Sequence, residues 1–150
     1  GAQLHLNLHG YPAHEWTRPF SGYIPRGFEA WMLPKGFFLI LRHHAGWGDQ
    51  ARALAEHVCR RLAERPDLMA FNARQLASYN AHASDLPFEL LHGTACMISE
   101  VNRPGPPLTL ISEFPDETIH GDPFILAHDT QTATVLAAVE ALGLISSRPP

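Results

Sequence analysis

The residues best suited to chemistry stand at the ends of two apolar segments. His9 closes Gln3-Leu4-His5-Leu6-Asn7-Leu8-His9, and Glu113 follows Leu108-Thr109-Leu110-Ile111-Ser112. An imidazole at a strand end can hold a metal ion or carry a proton, and zinc is commonly bound by His nitrogen and carboxylate oxygen. His5, His14 and Glu15 are further donors near His9. His5 and His9 share a strand face but stand roughly 13 Å apart, too far to chelate one ion. Without a partner from elsewhere, the plainer reading of His9 is a strand-end histidine bonded to backbone. A carboxylate held at an apolar strand end is partly desolvated, which raises its pKa toward the range of a general base. The plainer reading of Glu113 is a solvated acid beside a turn.

The remaining candidates are less specific. Arg18 and Arg26 could grip a substrate carboxylate through paired hydrogen bonds, or stack structurally on Trp16 or Tyr23. His43-His44 could line a site or form a surface pair. Cys59 and Cys96 have no metal-binding or redox spacing, so each is expected as a buried free thiol, in keeping with a reducing, cytoplasmic setting. No glycine-rich phosphate loop and no Gly-x-Ser-x-Gly elbow occurs.

These residues must be positioned by a modest set of elements. Leu4, Leu6 and Leu8 alternate with polar residues as a strand that Gly10 and Pro12 end. Tyr11 to Gly36 is dense in Pro, Gly and aromatics, a long loop of the kind that usually serves function. Phe37–Leu41 reads as a short buried strand. Asp49 is placed to cap a helix reaching about Glu64, with Ala51, Leu54, Ala55, Val58 and Leu62 on one face, and Pro66 stops it. A second helix spans about Asp67–Asn80. Arg103-Pro104-Gly105-Pro106-Pro107 is a turn that cannot enter a sheet interior. Leu108–Ser112 is a buried strand ended by Glu113-Phe114-Pro115. A last helix, about Thr130–Leu142, is expected to turn Val135, Leu136, Val139 and Leu142 inward, with Gly143 closing it. The order gives an α/β fold, a layered sheet with flanking helices.

Bulk properties narrow the function. The 150 residues fit a single domain, with 45% hydrophobic and 17% charged residues. A net charge of −4 and the lack of a basic run exclude a nucleic-acid surface. The longest apolar run, Gly36–Leu41, is too short to span a membrane, and no signal-peptide pattern opens the sequence, so a soluble chain is expected.

In order, these pieces resemble the carboxypeptidase A-like family of zinc peptidases. Leu8-His9-Gly10-Tyr11 looks like the family's strand that delivers its third zinc ligand. Leu108–Glu113 looks like the later strand whose terminal Glu is the general base. The helix near Asp49 and the one over Thr130–Leu142 match the family's helices between and after these strands. The resemblance implies zinc as cofactor, His9 as a metal ligand, Glu113 as catalytic base, and substrate contacts from Tyr11, Arg18 and Arg26. The implied activity is hydrolysis of a C-terminal peptide or amide bond. The family's catalytic tyrosine has no matching motif here, and Tyr79 stands for it only as a guess. The family's His-x-x-Glu motif, which supplies two further ligands and precedes the third, is missing, as are the arginines expected before it. The Arg expected after the base is replaced by Phe114-Pro115. Residues 1–150 therefore read as the C-terminal portion of a larger metallopeptidase catalytic domain, inactive in isolation and prone to associate into homo-oligomers through an exposed sheet edge. Two alternatives stand beside this: a zinc-dependent deacylase of N-acyl amino acids, and a non-catalytic binding module that keeps the fold.

Overall fold

A computed structural model describes residues 1–11, 36–80, 88–115 and 119–145. Eight elements follow in chain order: β1 (Leu4–Tyr11), β2 (Phe38–His43), α1 (Gly48–Leu62), α2 (Pro66–Asn80), β3 (Glu89–Leu91), β4 (Thr94–Glu100), β5 (Leu108–Pro115) and α3 (Gly121–Ile145). The five strands form one mixed sheet in the order β1-β5-β2-β4-β3. β1 runs parallel to β5 and β2 parallel to β4, whereas β5 against β2 and β3 against β4 are antiparallel.

Strand alternation divides the apolar residues between two faces. Leu39, Leu41, Cys96, Leu108, Leu110 and Phe114 join the helices in the main core, together with Leu54, Val58 and Leu62 of α1 and Ala137, Ala138 and Ala141 of α3. The opposite face carries a smaller cluster of Tyr11, Phe38, Leu76, Tyr79, Phe88 and Ala95. The α/β layering expected from the sequence is therefore present, while the boundaries shift. β1 runs on through Gly10 to Tyr11, because parallel pairing with β5 continues to Tyr11↔Pro115. Likewise β5 does not end at Ser112: Glu113, Phe114 and Pro115 all lie within it. Pro115 is tolerated because a terminal strand position need not donate to the ladder.

Two helix boundaries also differ. Asp49 lies inside the first turn of α1, whose cap residue is Trp47, with no side-chain capping bond; its charge still suits the positive end of the helix dipole. Pro66 opens α2 instead of merely ending α1, at a position where its missing N–H costs nothing. β3 and β4, which sequence patterning does not single out, form a hairpin through His92 (φ 49°) and Gly93 (φ 83°).

The largest correction concerns α3. It begins at Gly121, nine residues ahead of Thr130, and passes through Gly143 to Ile145. Leu136 and Val139 face outward at 61% and 60% exposure, and Thr130, Thr134, Ala137, Ala138 and Ala141 are the buried residues. Small side chains occupy the seam because α3 packs directly on α1, and Ala51 and Ala55 of α1 are buried in the same core. Close approach of two helices favours alanine over the larger residues that hydrophobicity alone would turn inward. Ion pairs fasten the rim of this contact: Arg61 Nε to Glu140 Oε2 at 3.1 Å, and Arg65 Nη2 to Asp129 Oδ2 at 3.5 Å. Ala138→Leu should therefore cost about 1–3 kcal/mol by overpacking, while Leu136→Ser stays within roughly 0.5 kcal/mol. Urea denaturation of the two variants checks this ordering.

Candidate functional site

Parallel pairing of β1 with β5 sets His9 directly beside Glu113 in the register. Residues 104 apart in sequence thereby meet at the carboxyl ends of two adjacent parallel strands, where sheets of this kind present their binding groups. His9 Nδ1 lies 3.2 Å from Glu113 Oε2, with the imidazole 59% exposed and the carboxylate side chain 13% exposed. His9 is thus paired to a carboxylate, and Glu113 is sheltered within a strand instead of solvated beside a turn. An imidazole carrying a proton on Nδ1 donates it to Oε2. Oε1 of Glu113 has no hydrogen-bond partner among the described residues.

Burial pushes the Glu113 carboxyl above the ordinary carboxylate range, and the charge of and hydrogen bond from His9 draw it partly back. A raised carboxyl binds its proton more tightly folded than unfolded, so stability falls as pH rises from the ordinary value through the raised folded one. Above that window the penalty for an ionised Glu113 is fully present; below the ordinary value it is gone. Glu113→Gln, which keeps the shape, should melt higher than the parent at pH 7. Thermal melts across pH 4–8 should show that advantage shrinking toward the acid end.

Several neighbours position the pair, and sequence patterning places only Phe38 and Ser112 among them, as members of buried strands. Gln131 of α3 donates from Nε2 to the His9 carbonyl at 3.0 Å, and its Oε1 accepts from the hydroxyl of buried Ser112. One side chain thus ties the strand carrying His9 to the residue before Glu113. On the other side of Glu113, Phe38 of β2 is its cross-strand partner, and the Phe38 ring packs on Tyr11 with centroids 5.4 Å apart. The start of β2 is held by Asn72, whose Oδ1 accepts from the Phe37 amide at 3.0 Å. Gly36 is needed beside it. Its φ is +91°, and a Cβ there would stand 2.9 Å from Gln75 Cβ and 3.1 Å from Asn72 Oδ1.

The other candidates divide clearly. Tyr11 is buried, and its hydroxyl donates to the Gly36 carbonyl at 2.8 Å. Tyr79 is buried against Phe88. His43 pairs with Leu108, at the opposite end of β5 from Glu113. Five residues of strand separate them by roughly 17 Å, so His43-His44 does not line this site. Arg18, Arg26, His14 and Glu15 lie outside the described residues. An imidazole and a carboxylate are donor types that zinc accepts, but a catalytic zinc takes three protein ligands. His9 provides one, and no group of three His, Cys, Asp or Glu side chains is placed to hold an ion among the described residues. The described residues do not by themselves complete a zinc site. Comparison with known proteins finds no match for this chain among family models, curated proteins or solved structures.

Proposed function

We propose that this chain carries part of the active site of a hydrolase that cleaves C-terminal peptide or amide bonds, of the zinc carboxypeptidase type. One observation supports the reading above the others. The two residues that the sequence resemblance pairs as ligand and base, far apart in the chain, are neighbours at one sheet end, 3.2 Å apart. In this reading zinc, when bound, supplies carbonyl polarisation and an acidified water. His9 would be its ligand from this chain. The remaining protein ligands come from outside the described residues.

The chain's own part in the chemistry rests on Glu113. Oε1 accepts a proton from the attacking water and afterwards delivers it to the departing amine. A carboxyl raised by burial suits both halves of that transfer, since its proton affinity lies nearer neutrality. The shelter of the strand end keeps bulk water from competing for it.

The test is a substrate panel offered to the protein expressed from its complete gene. N-blocked dipeptides with a free C-terminal carboxylate should be hydrolysed, and their C-terminal amides should not. Preferential cleavage of N-acyl amino acids would instead establish the deacylase reading. No hydrolysis of either class, with the protein folded and zinc supplied, would leave the non-catalytic binding reading.

A further inference from the structure

Cys59 of α1 and Cys96 of β4 are both free and completely enclosed in the main core. Their sulfurs stand 3.4 Å apart. They lie 37 residues apart in sequence and in different layers, so the contact is a product of the fold and not of local spacing. A disulfide needs its sulfurs at about 2.05 Å, so roughly 1.4 Å of approach remains to be closed. β4 is hydrogen-bonded to both β2 and β3, so a bond here would tie the helix layer to an interior strand of the sheet. The hydrolytic reading makes no use of either thiol.

We propose that Cys59 and Cys96 form a reversible intramolecular disulfide when the protein meets a low-molecular-weight disulfide such as oxidised glutathione. The exchange balances in two steps. One protein thiol loses its proton and attacks a sulfur of glutathione disulfide; that S–S bond breaks, a mixed disulfide forms, and one glutathione leaves as thiolate. The second protein thiol, deprotonated in turn, attacks the protein sulfur of the mixed disulfide and expels the second glutathione. The protein pair gives up two electrons and two protons, and one glutathione disulfide becomes two glutathiones. The Cys96 thiol is held protonated, first by its hydrogen bond with Cys59 and then by burial. The reaction therefore waits on a local opening of α1 from β4, and low urea should accelerate it.

The native protein is equilibrated in glutathione redox buffers with a low concentration of urea, quenched in acid, and alkylated after denaturation. Expected are a loss of two hydrogens in the intact mass, no alkylation at either cysteine, and one cross-linked peptide pair joining Cys59 to Cys96. The oxidised form should also melt about 8–15 °C above the reduced form, as closure of a loop of this length predicts. The Cys96→Ala variant should stop at a glutathione adduct on Cys59; should that variant not fold, the wild-type peptide map decides alone. Two thiols that stay alkylatable throughout the buffers would overturn the proposal and leave the pair as core packing. Glutathione adducts or linked dimers as the end product of the wild type would overturn it equally.

Discussion

Glu113→Gln should lower kcat for a blocked dipeptide by about 10²–10⁴-fold in the protein expressed from its complete gene. The amide keeps the volume of the carboxyl and can still accept the hydrogen bond that His9 Nδ1 donates across 3.2 Å. It cannot accept a proton from water at any working pH. The loss should therefore fall on kcat, with KM little changed and the zinc content intact. Glu113→Asp is a useful companion, because it keeps the charge and withdraws the carboxyl by one methylene. Its turnover should lie between the two, since a displacement of this size disrupts proton-transfer geometry without abolishing it. Steady-state kinetics on the three proteins checks the series, and a Glu113→Gln enzyme with wild-type turnover would remove Glu113 from the chemistry.

Phe38→Ala should destabilise the fold by about 3–5 kcal/mol, the usual cost of emptying a fully buried aromatic position. Phe38 has no exposed surface and lies at the centre of the smaller cluster, against Tyr11. The same residue is paired with Glu113 across β2 and β5, so the cavity opens beside the site as well as in the core. The variant should lose activity out of proportion to the small fraction unfolded at low temperature. By contrast, Phe38→Leu should keep most of the stability, because an apolar side chain still fills much of the volume. Denaturant midpoints for both variants, read beside their activity at 10–15 °C, separate loss of fold from loss of alignment.

How far the sequence foretells this structure depends on the kind of signal each segment carries. The strand of β1 is legible because Leu4, Leu6 and Leu8 alternate, and α1 because Leu54, Val58 and Leu62 recur at helical spacing. Pro66 also marks a true break, although it begins the next helix instead of simply ending the last. β4 is not legible, because Thr94, Ala95 and Cys96 are all buried, which erases the alternation that identifies a half-exposed strand. β3 has three residues and a His-Gly turn in place of the commoner Asn-Gly. The inward face of α3 is misjudged for a different reason: ranking side chains by hydrophobicity selects Leu136 and Val139, whereas close packing on α1 selects Ala137, Ala138 and Ala141.

The site is legible in its types and not in its support. A histidine and a glutamate at apolar strand ends can be picked out from their own surroundings. Their adjacency depends on β1 pairing with β5 across most of the chain, which no local pattern specifies. Gln131 and Asn72 work through single hydrogen bonds to distant backbone, and a lone amide in a helix has no distinguishing spacing. Ser112 likewise looks like any strand serine until Gln131 is placed above it.

The most direct measurement on the hydrolytic reading is the zinc content of the protein expressed from its complete gene, taken by elemental analysis on the parent and on His9→Ala. About one zinc per chain is expected in the parent, lost or much weakened in His9→Ala while both proteins fold. Equal zinc in the two proteins would show that His9 holds no metal, and a parent without zinc after supply of the ion would contradict the zinc hydrolase reading itself.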